Sequence, residues 1–125
     1  MLTAQLAEDK KAENVIVVDL RDVESAPSDY FVIASCETVT QTRAVFDNIL
    51  KNVKEYKLRK PKTEGLEGQE WIIIDFFDVV VHIMLEKIRS YYKLEKLWGD
   101  AKFSKVDDDG VILPIEIEEV ISNYK

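Results

Sequence analysis

The chain of 125 residues has little cysteine and little histidine: Cys36 and His82 are the single examples of each. One cysteine excludes an intramolecular disulfide, and one cysteine with one histidine cannot complete a zinc site within the chain. Asp75 and Asp78 lie three residues apart, but aspartates in a turn normally accept hydrogen bonds from nearby backbone N–H groups. We therefore expect neither a disulfide nor a bound metal ion.

Two further absences restrict the function. No stretch reaches the ~20 consecutive apolar residues of a membrane-spanning helix, and the N-terminal residues lack the pattern of a signal or transit peptide. The four glycines are scattered, and none belongs to a strand, loop and helix pattern that would cradle a phosphate. The sequence predicts a cytoplasmic protein without a nucleotide or other cofactor.

Positive charge is also in deficit, since the formal net charge is −7. This balance argues against long duplex nucleic acid as the main ligand, because nonspecific nucleic-acid binding depends on neutralising phosphates. It favours a basic protein surface as the partner. Segment Lys51–Lys62 is the exception, because six basic residues against one acid give it a charge of +5. We interpret it either as a solvated helix end or as a minor contact with RNA phosphate.

Apolar sequence, by contrast, is sufficient for one folded unit: 46% of the residues are hydrophobic and 10% are aromatic. The first half predicts a short helix within 2–13 and strands at 15–20 and 30–34. A capping box at 38–41 begins a longer helix, which an apolar residue every three or four positions extends to about Tyr56.

The second half predicts a hairpin of two buried strands at 71–74 and 79–85, followed by a helix over 86–98. A turn at 107–110 then leads to an apolar run at 111–117 and to a short acidic helix or tail. The nearly continuous apolar character of the two hairpin strands is typical of strands that are covered on both faces.

This order of elements predicts the α/β class, with a mixed β-sheet flanked by helices. We expect one domain over residues 1–101. Residues 102–125 are predicted to form a C-terminal extension, to which the sequence assigns no role.

Two residues are candidates for catalysis. His82 titrates near neutrality, but strand alternation places it in an apolar setting, which favours a structural or interface role. Cys36 lies between a strand and a helix, where nucleophiles occur, so that a Cys36/His82 pair is an alternative. Nothing else supports such a pair, and the sequence favours binding over catalysis.

Segment 91–98 contains more aromatic and apolar side chains than one core-facing helix stripe can bury. Tyr and Trp are frequent anchors in protein interfaces. Extra core packing and a protein contact are both consistent with this segment.

Five strings, in this order along the chain, carry a resemblance to a known family. They are Asp29-Tyr30-Phe31-Val32-Ile33-Ala34-Ser35, Glu64-Gly65, Trp71-Ile72-Ile73-Ile74-Asp75, Asp78-Val79-Val80-Val81-His82 and Tyr92-Lys93-Leu94-Glu95-Lys96-Leu97-Trp98. Together they resemble the ribosomal silencing factor family, also called the Iojap-like family, over residues 5–101.

The resemblance implies a nucleotidyltransferase-like sandwich without that activity, in a protein that is a homodimer when free. It implies binding to ribosomal protein uL14 of the large subunit, which would block joining of the small subunit and repress translation under nutrient limitation. Segment Lys51–Lys62 would add a minor rRNA contact. The alternatives are a large-subunit assembly factor or dimeric adaptor, and a metal-dependent nucleotidyltransferase. The last lacks the Gly-Ser loop and paired carboxylates that such enzymes use.

The resemblance also implies a partner-binding surface on the hairpin and the following helix. Its predicted members are Trp71, Asp75, Asp78, His82, Tyr92, Leu94, Glu95 and Trp98. The aromatic members would supply anchors, and the acidic members would face basic residues of uL14. Cys36 and Phe77 stand where the family usually has glycine, and they predict altered loop geometry there.

Overall fold

The computed structural model describes residues 2–53, 60–107 and 109–122, which form a seven-stranded mixed sheet with helices on both faces. In chain order the elements are α1 (Leu2–Glu8), β1 (Glu13–Asp19), β2 (Tyr30–Cys36), α2 (Val39–Val53), β3 (Lys62–Glu64), β4 (Trp71–Asp75), β5 (Val79–Leu85), α3 (Glu86–Tyr92), a 3₁₀ helix (Leu94–Trp98), β6 (Lys102–Val106), β7 (Ile112–Ile115) and α4 (Ile117–Ser122). The strand order across the sheet is β3-β4-β5-β2-β1-β6-β7. The predicted α/β class with a mixed, helix-flanked sheet is confirmed.

The centre of the sheet is the parallel pair β2 and β5, in which Ile33 lies opposite His82. The other neighbouring strands are antiparallel. A parallel pair needs a long crossover connection, and the chain from α2 to β4 supplies it. β4 and β5 form the predicted hairpin, which is confirmed.

Side chains of the sheet alternate between two apolar clusters, one on each face. On β2, Val32 and Ala34 join the cluster that contains residues of α1 and α2. Phe31 and Ile33 join the other cluster, which contains residues of α3, the 3₁₀ helix and α4. Because both faces are covered at the centre of the sheet, β2 and β5 consist of nearly continuous apolar runs.

The capping box at the start of α2 is present. The Thr38 hydroxyl accepts a hydrogen bond from the Gln41 backbone N–H at 3.2 Å, and the Gln41 side-chain oxygen accepts one from the Glu37 N–H at 2.9 Å. The return bond therefore reaches one residue further back than the usual box, where it would go to the capping residue itself. α2 extends to Val53, and its predicted end near Tyr56 lies outside the described residues.

The prediction of one helix over 86–98 is wrong. α3 ends at Tyr92, and Lys93 adopts a left-handed conformation with φ 48° and ψ 54°. Its N–H donates to the carbonyl of Arg89 at 2.8 Å, which is a common way to end a helix. The chain then continues as the 3₁₀ helix. No local signal predicts this break, because residues 86–98 contain neither glycine nor proline.

The sheet continues past residue 101, which is the predicted end of the domain. β6 pairs with β1 and β7 pairs with β6, so that segment 102–115 contributes two strands to the same sheet. Phe103 and Val106 are buried, one in each apolar cluster. This segment is thus built into the core rather than attached to it.

Candidate partner-binding surface

One side of the β4–β5 hairpin is only partly covered. Ile72 and Ile74 of β4 are fully buried in the cluster that α1 and α2 complete. Trp71, Ile73 and Asp75 are half-buried and point to the opposite face, as strand alternation requires. The hairpin thus presents a row of accessible side chains next to α3.

The side chains that α3 and the 3₁₀ helix add to this row are aromatic or large and apolar. Tyr91 is 80% exposed, Tyr92 is 55% exposed and Leu97 is 71% exposed. Tyr91 and Tyr92, with the half-buried Trp71 and Trp98, form what we call the aromatic surface, and the exposed Leu97 precedes Trp98 in the 3₁₀ helix. So many accessible large side chains close together are typical of a protein-binding site.

A series of rings connects the aromatic surface to the core. Ring centroids are 5.1 Å apart for Tyr92 and Trp71, and 5.9 Å apart for Trp71 and His82. Phe31 continues the series at 4.8 Å from His82 and 5.8 Å from Trp98. Tilted and edge-to-face pairs at such distances are favourable, so the series holds the surface in a defined position.

His82 belongs to the support of this surface and is buried. Its Nδ1 accepts a hydrogen bond from Trp71 Nε1 at 3.1 Å. Burial lowers the pKa of His82 to about 4, although the charge of Glu95 acts in the opposite direction. The imidazole is therefore neutral at pH 7 and orients the Trp71 indole, as the structural interpretation of this histidine predicted.

Cys36 lies on the other face of the sheet from His82. It is buried at the end of β2 in the cluster below α1 and α2, and burial together with the charge of Glu13 raises the pKa of its thiol to about 12. The thiol is protonated at pH 7 and separated from the imidazole by the sheet. The two residues do not form a nucleophile pair.

Asp75 and Asp78 stabilise the hairpin connection. Asp75 Oδ1 accepts a hydrogen bond from the Phe77 N–H at 2.7 Å, which is the turn role that the sequence favoured. The Asp78 backbone carbonyl accepts hydrogen bonds from the N–H groups of Asp29 and Tyr30, both at 3.0 Å, and its side chain is exposed. Within the described parts of the chain, no three metal-binding side chains come together.

Glu95 requires a correction, because it was predicted to contact a partner directly. It is fully buried and forms an ion pair with Arg89, with 2.7 Å between Glu95 Oε2 and Arg89 Nη2. Leu94 is half-buried and packs against the core. Of the eight predicted members, Trp71, Asp75, Asp78, Tyr92, Leu94 and Trp98 retain accessible area, whereas His82 and Glu95 lie beneath the surface.

Three residues of this region are not among the eight predicted members, namely Tyr91, Leu97 and Arg89. Tyr91 and Leu97 belong to the crowded segment 91–98, but their positions on the surface depend on the break at Lys93, which the sequence did not reveal. Arg89 is the buried partner of Glu95, and an arginine within a surface helix normally indicates solvent exposure. Charged residues also lie nearby at positions 86, 87 and 93, so the local sequence does not single out Arg89 as a buried charge.

The fold and the surface together define a small α/β domain that presents aromatic side chains on one face, as protein-binding domains do. Every helix in the described portion is too short or too polar to cross a membrane. Residues 1–122 match the family model described as ribosomal silencing factor during starvation. The chain belongs to this family, and the resemblance inferred from the sequence is confirmed.

Relatives from different organisms are similar over most of the chain. Ribosomal silencing factor RsfS of Bacillus subtilis is 36% identical over 106 residues, which are 85% of this chain and 89% of the relative. A mouse protein named mitochondrial assembly of ribosomal large subunit protein 1 is 32% identical over 78% of this chain and 43% of its own length. A crystal structure of a Chromobacterium violaceum protein superposes with a TM-score of 0.73 at 32% identity, covering 78% of this chain and 81% of that one.

Proposed function

We propose that this protein is a ribosomal silencing factor that binds uL14 on the large ribosomal subunit. By occupying that site it blocks joining of the small subunit and represses translation when nutrients are limited. The observation that carries the proposal is the family match over residues 1–122. Bacterial relatives that match most of the chain bear the name ribosomal silencing factor.

The aromatic surface supports a mechanism of steric exclusion. Tyr91, Tyr92 and Leu97 offer exposed anchors, and Asp78 adds an exposed carboxylate near the hairpin end. A net charge of −7 on the whole chain favours encounter with a basic ribosomal protein. A ligand that occupies a surface needed for subunit joining shifts the joining equilibrium by mass action, without any chemical step.

The first test is co-sedimentation of the purified protein with large subunits, combined with a subunit-joining assay. Tyr92→Ala removes an exposed anchor and is expected to weaken binding by about 10- to 30-fold, as a hot-spot residue would. Val39→Ala is the matched control, because Val39 is 40% exposed at the start of α2, which covers the opposite face of the sheet. Trp98 is less suitable than Tyr92, since its contact with Phe31 also supports the core.

Cross-linking of the bound protein identifies the contacted ribosomal component, and uL14 is the expected product. Equal binding of Tyr92→Ala and wild type would contradict the proposed surface. A cross-link exclusively to another ribosomal protein would contradict the proposed partner. Normal subunit joining in the presence of saturating bound protein would contradict silencing by exclusion.

A second candidate function is assembly of the large subunit through the same surface. The name of the mouse relative favours it, since that protein is named for assembly of the mitochondrial large subunit. Silencing predicts that 70S levels rise in starved cells that lack the gene. Assembly predicts precursors of the large subunit in growing cells that lack it, and the two comparisons separate the candidates.

Two accessory interactions belong to the same proposal. The free protein forms a homodimer in the cytoplasm, which analytical ultracentrifugation of the purified protein tests. Segment Lys51–Lys62 adds a minor rRNA contact; of this segment, Lys51, Lys60 and Lys62 are described and exposed. Changing these three lysines to glutamine is expected to reduce the salt dependence of large-subunit binding without abolishing it.

A further inference from the structure

The buried ion pair between Arg89 and Glu95 spans the break between α3 and the 3₁₀ helix. Glu95 has no exposed area and Arg89 is 3% exposed. Arg89 donates to Glu95 Oε2 from Nε at 2.9 Å and from Nη2 at 2.7 Å. Burying two charges is unfavourable unless their geometry is well defined, so this pair constrains the segment that carries it.

Arg89 also ties the segment to the centre of the sheet. Its Nη1 donates to the Asn14 carbonyl at 2.6 Å and to the Ser35 hydroxyl at 2.8 Å. Asn14 has a positive φ of 48° and lies where the register of β1 shifts. This irregularity of β1 brings the Asn14 carbonyl to the guanidinium. Arg89 therefore joins α3 to both β1 and β2.

The pair cannot form in an uninterrupted helix. Two residues six positions apart on an α-helix lie about 120° apart around the axis and ~9 Å apart along it. In the structure the left-handed conformation of Lys93 changes the direction of the chain and brings Glu95 to Arg89. We call the arrangement in which α3 and the 3₁₀ helix are separated at Lys93 the broken form of segment 86–98. The ion pair is specific to this form.

We propose that Arg89 and Glu95 are positioning residues that select the broken form over a continuous helix and thereby place the aromatic surface. The sequence alone favours the continuous helix, because residues 94–98 are good helix formers and a left-handed lysine is unfavourable. The ion pair offsets both preferences. Buried ion pairs specify one conformation in some proteins while adding little stability.

The consequence is a defined arrangement of the anchors. Tyr91 and Tyr92 lie before the break, and Leu97 and Trp98 lie after it. A continuous helix would rotate the second pair relative to the first and move it along the axis. The inference that these residues serve binding rests on the proposed function, whereas the choice between the broken and the continuous form does not.

The decisive variant replaces both charges by apolar side chains of similar size, Arg89→Met with Glu95→Leu. Replacing an ion pair in this way is often neutral or stabilising. Here it also removes the donor of the Asn14 carbonyl and the Ser35 hydroxyl, which costs stability, so conformation is measured separately from stability. We expect a folded protein whose midpoint of urea unfolding is moderately below that of wild type, and Cα chemical shifts of residues 93–98 that move to α-helical values. Binding to large subunits is expected to fall at least tenfold.

The matched control is Arg43→Met with Asp47→Leu, which removes an exposed ion pair of α2 and is expected to leave binding unchanged. Adding Lys93→Gly to the Arg89→Met, Glu95→Leu variant favours the break independently of the ion pair. This third change is expected to restore part of the binding and the original chemical shifts, which a merely stabilising role of the pair would not predict.

Wild-type chemical shifts and binding in the variant without the pair would overturn the inference. Loss of folding in that variant would overturn it too, because it would assign the pair a role in stability. If the wild-type protein does not bind large subunits, the proposed function fails, and the chemical shifts still decide whether the pair selects the broken form.

Discussion

At the scale of single residues, Phe77 adopts the least favourable backbone conformation of the hairpin connection. Its φ is 77°, and the Asp78 N–H donates across it to the Phe76 carbonyl at 3.0 Å, which makes a strained γ-turn. The family resemblance expects glycine here and at Cys36. Cys36 ends β2 without a positive φ, so of these two residues only Phe77 strains the backbone.

Phe77→Gly is expected to stabilise the protein. The left-handed region costs an L-residue about 1–2 kcal/mol, and glycine removes this cost. Glycine also makes the unfolded chain more flexible, which lowers the free energy of unfolding by about 0.4–1 kcal/mol and offsets part of the gain. The net increase in the free energy of unfolding should be about 0.5–1 kcal/mol in urea titrations. Phe77→Ala is the control, because it removes the ring and its contact with Lys62 but keeps Cβ. A gain in Phe77→Ala as large as that in Phe77→Gly would contradict strain as the cause.

His82 predicts a pH dependence of stability. Burial lowers its pKa from 6.5 to about 4, so that the unfolded chain binds a proton in this range while the folded protein does not. The stability from His82 is fully present above pH 6.5 and is lost as the pH falls to about 4. The loss amounts to ~1.4 kcal/mol per pH unit. His82→Gln should reduce the slope of unfolding free energy against pH in this window, and identical slopes would exclude a neutral buried imidazole.

At the scale of elements, the sequence predicts features that depend on residues close together in the chain. It does not predict features that depend on a buried tertiary contact. The hairpin could be predicted because two β-prone runs flank a four-residue connection, and the start of α2 because a capping box is a short-range pattern. The break at Lys93 depends on a buried contact between Arg89 and Glu95, which no local preference encodes. For the same reason the sequence predicts Glu95 at the surface, whereas the structure buries it.

The start of α2 provides a test at this scale. Thr38→Ala removes the acceptor of the Gln41 N–H, and the free energy of unfolding should fall by about 1 kcal/mol. Thr40→Ala is the matched control, since Thr40 is exposed in the same first turn and α2 begins one residue before it. Denaturant unfolding of both variants measures the difference. Equal losses in the two variants would contradict the capping role of Thr38, because the higher helix propensity of alanine cannot itself cause a loss at Thr40.

At the scale of the whole molecule, the sheet has two edges that another chain could extend. β3 is a short edge of three exposed residues, with a charged residue at either end. β7 is more apolar, and Ile112 and Leu113 are 39% and 40% exposed. Exposed edge strands favour association with other chains unless a proline, a charge or a short length prevents it.

Pro114 protects the β7 edge. The Val111 carbonyl accepts a hydrogen bond from the Asp107 N–H at 3.0 Å, so Val111 faces β6 and, by alternation, so does Leu113. Ile112 and Pro114 therefore direct their backbone groups outward, and the proline leaves that edge without a second N–H donor.

Pro114→Val restores this outward donor on an apolar edge, and it is expected to increase self-association beyond the oligomeric state of wild type. Leu113→Val is the control, because it places valine in the same strand at a position whose N–H already faces β6. Sedimentation velocity over a tenfold range of concentration measures the effect. Association should rise with concentration in Pro114→Val and remain at the wild-type level in Leu113→Val. If both variants associate alike, the β propensity of valine rather than the edge donor is responsible, and the protective role of Pro114 is refuted.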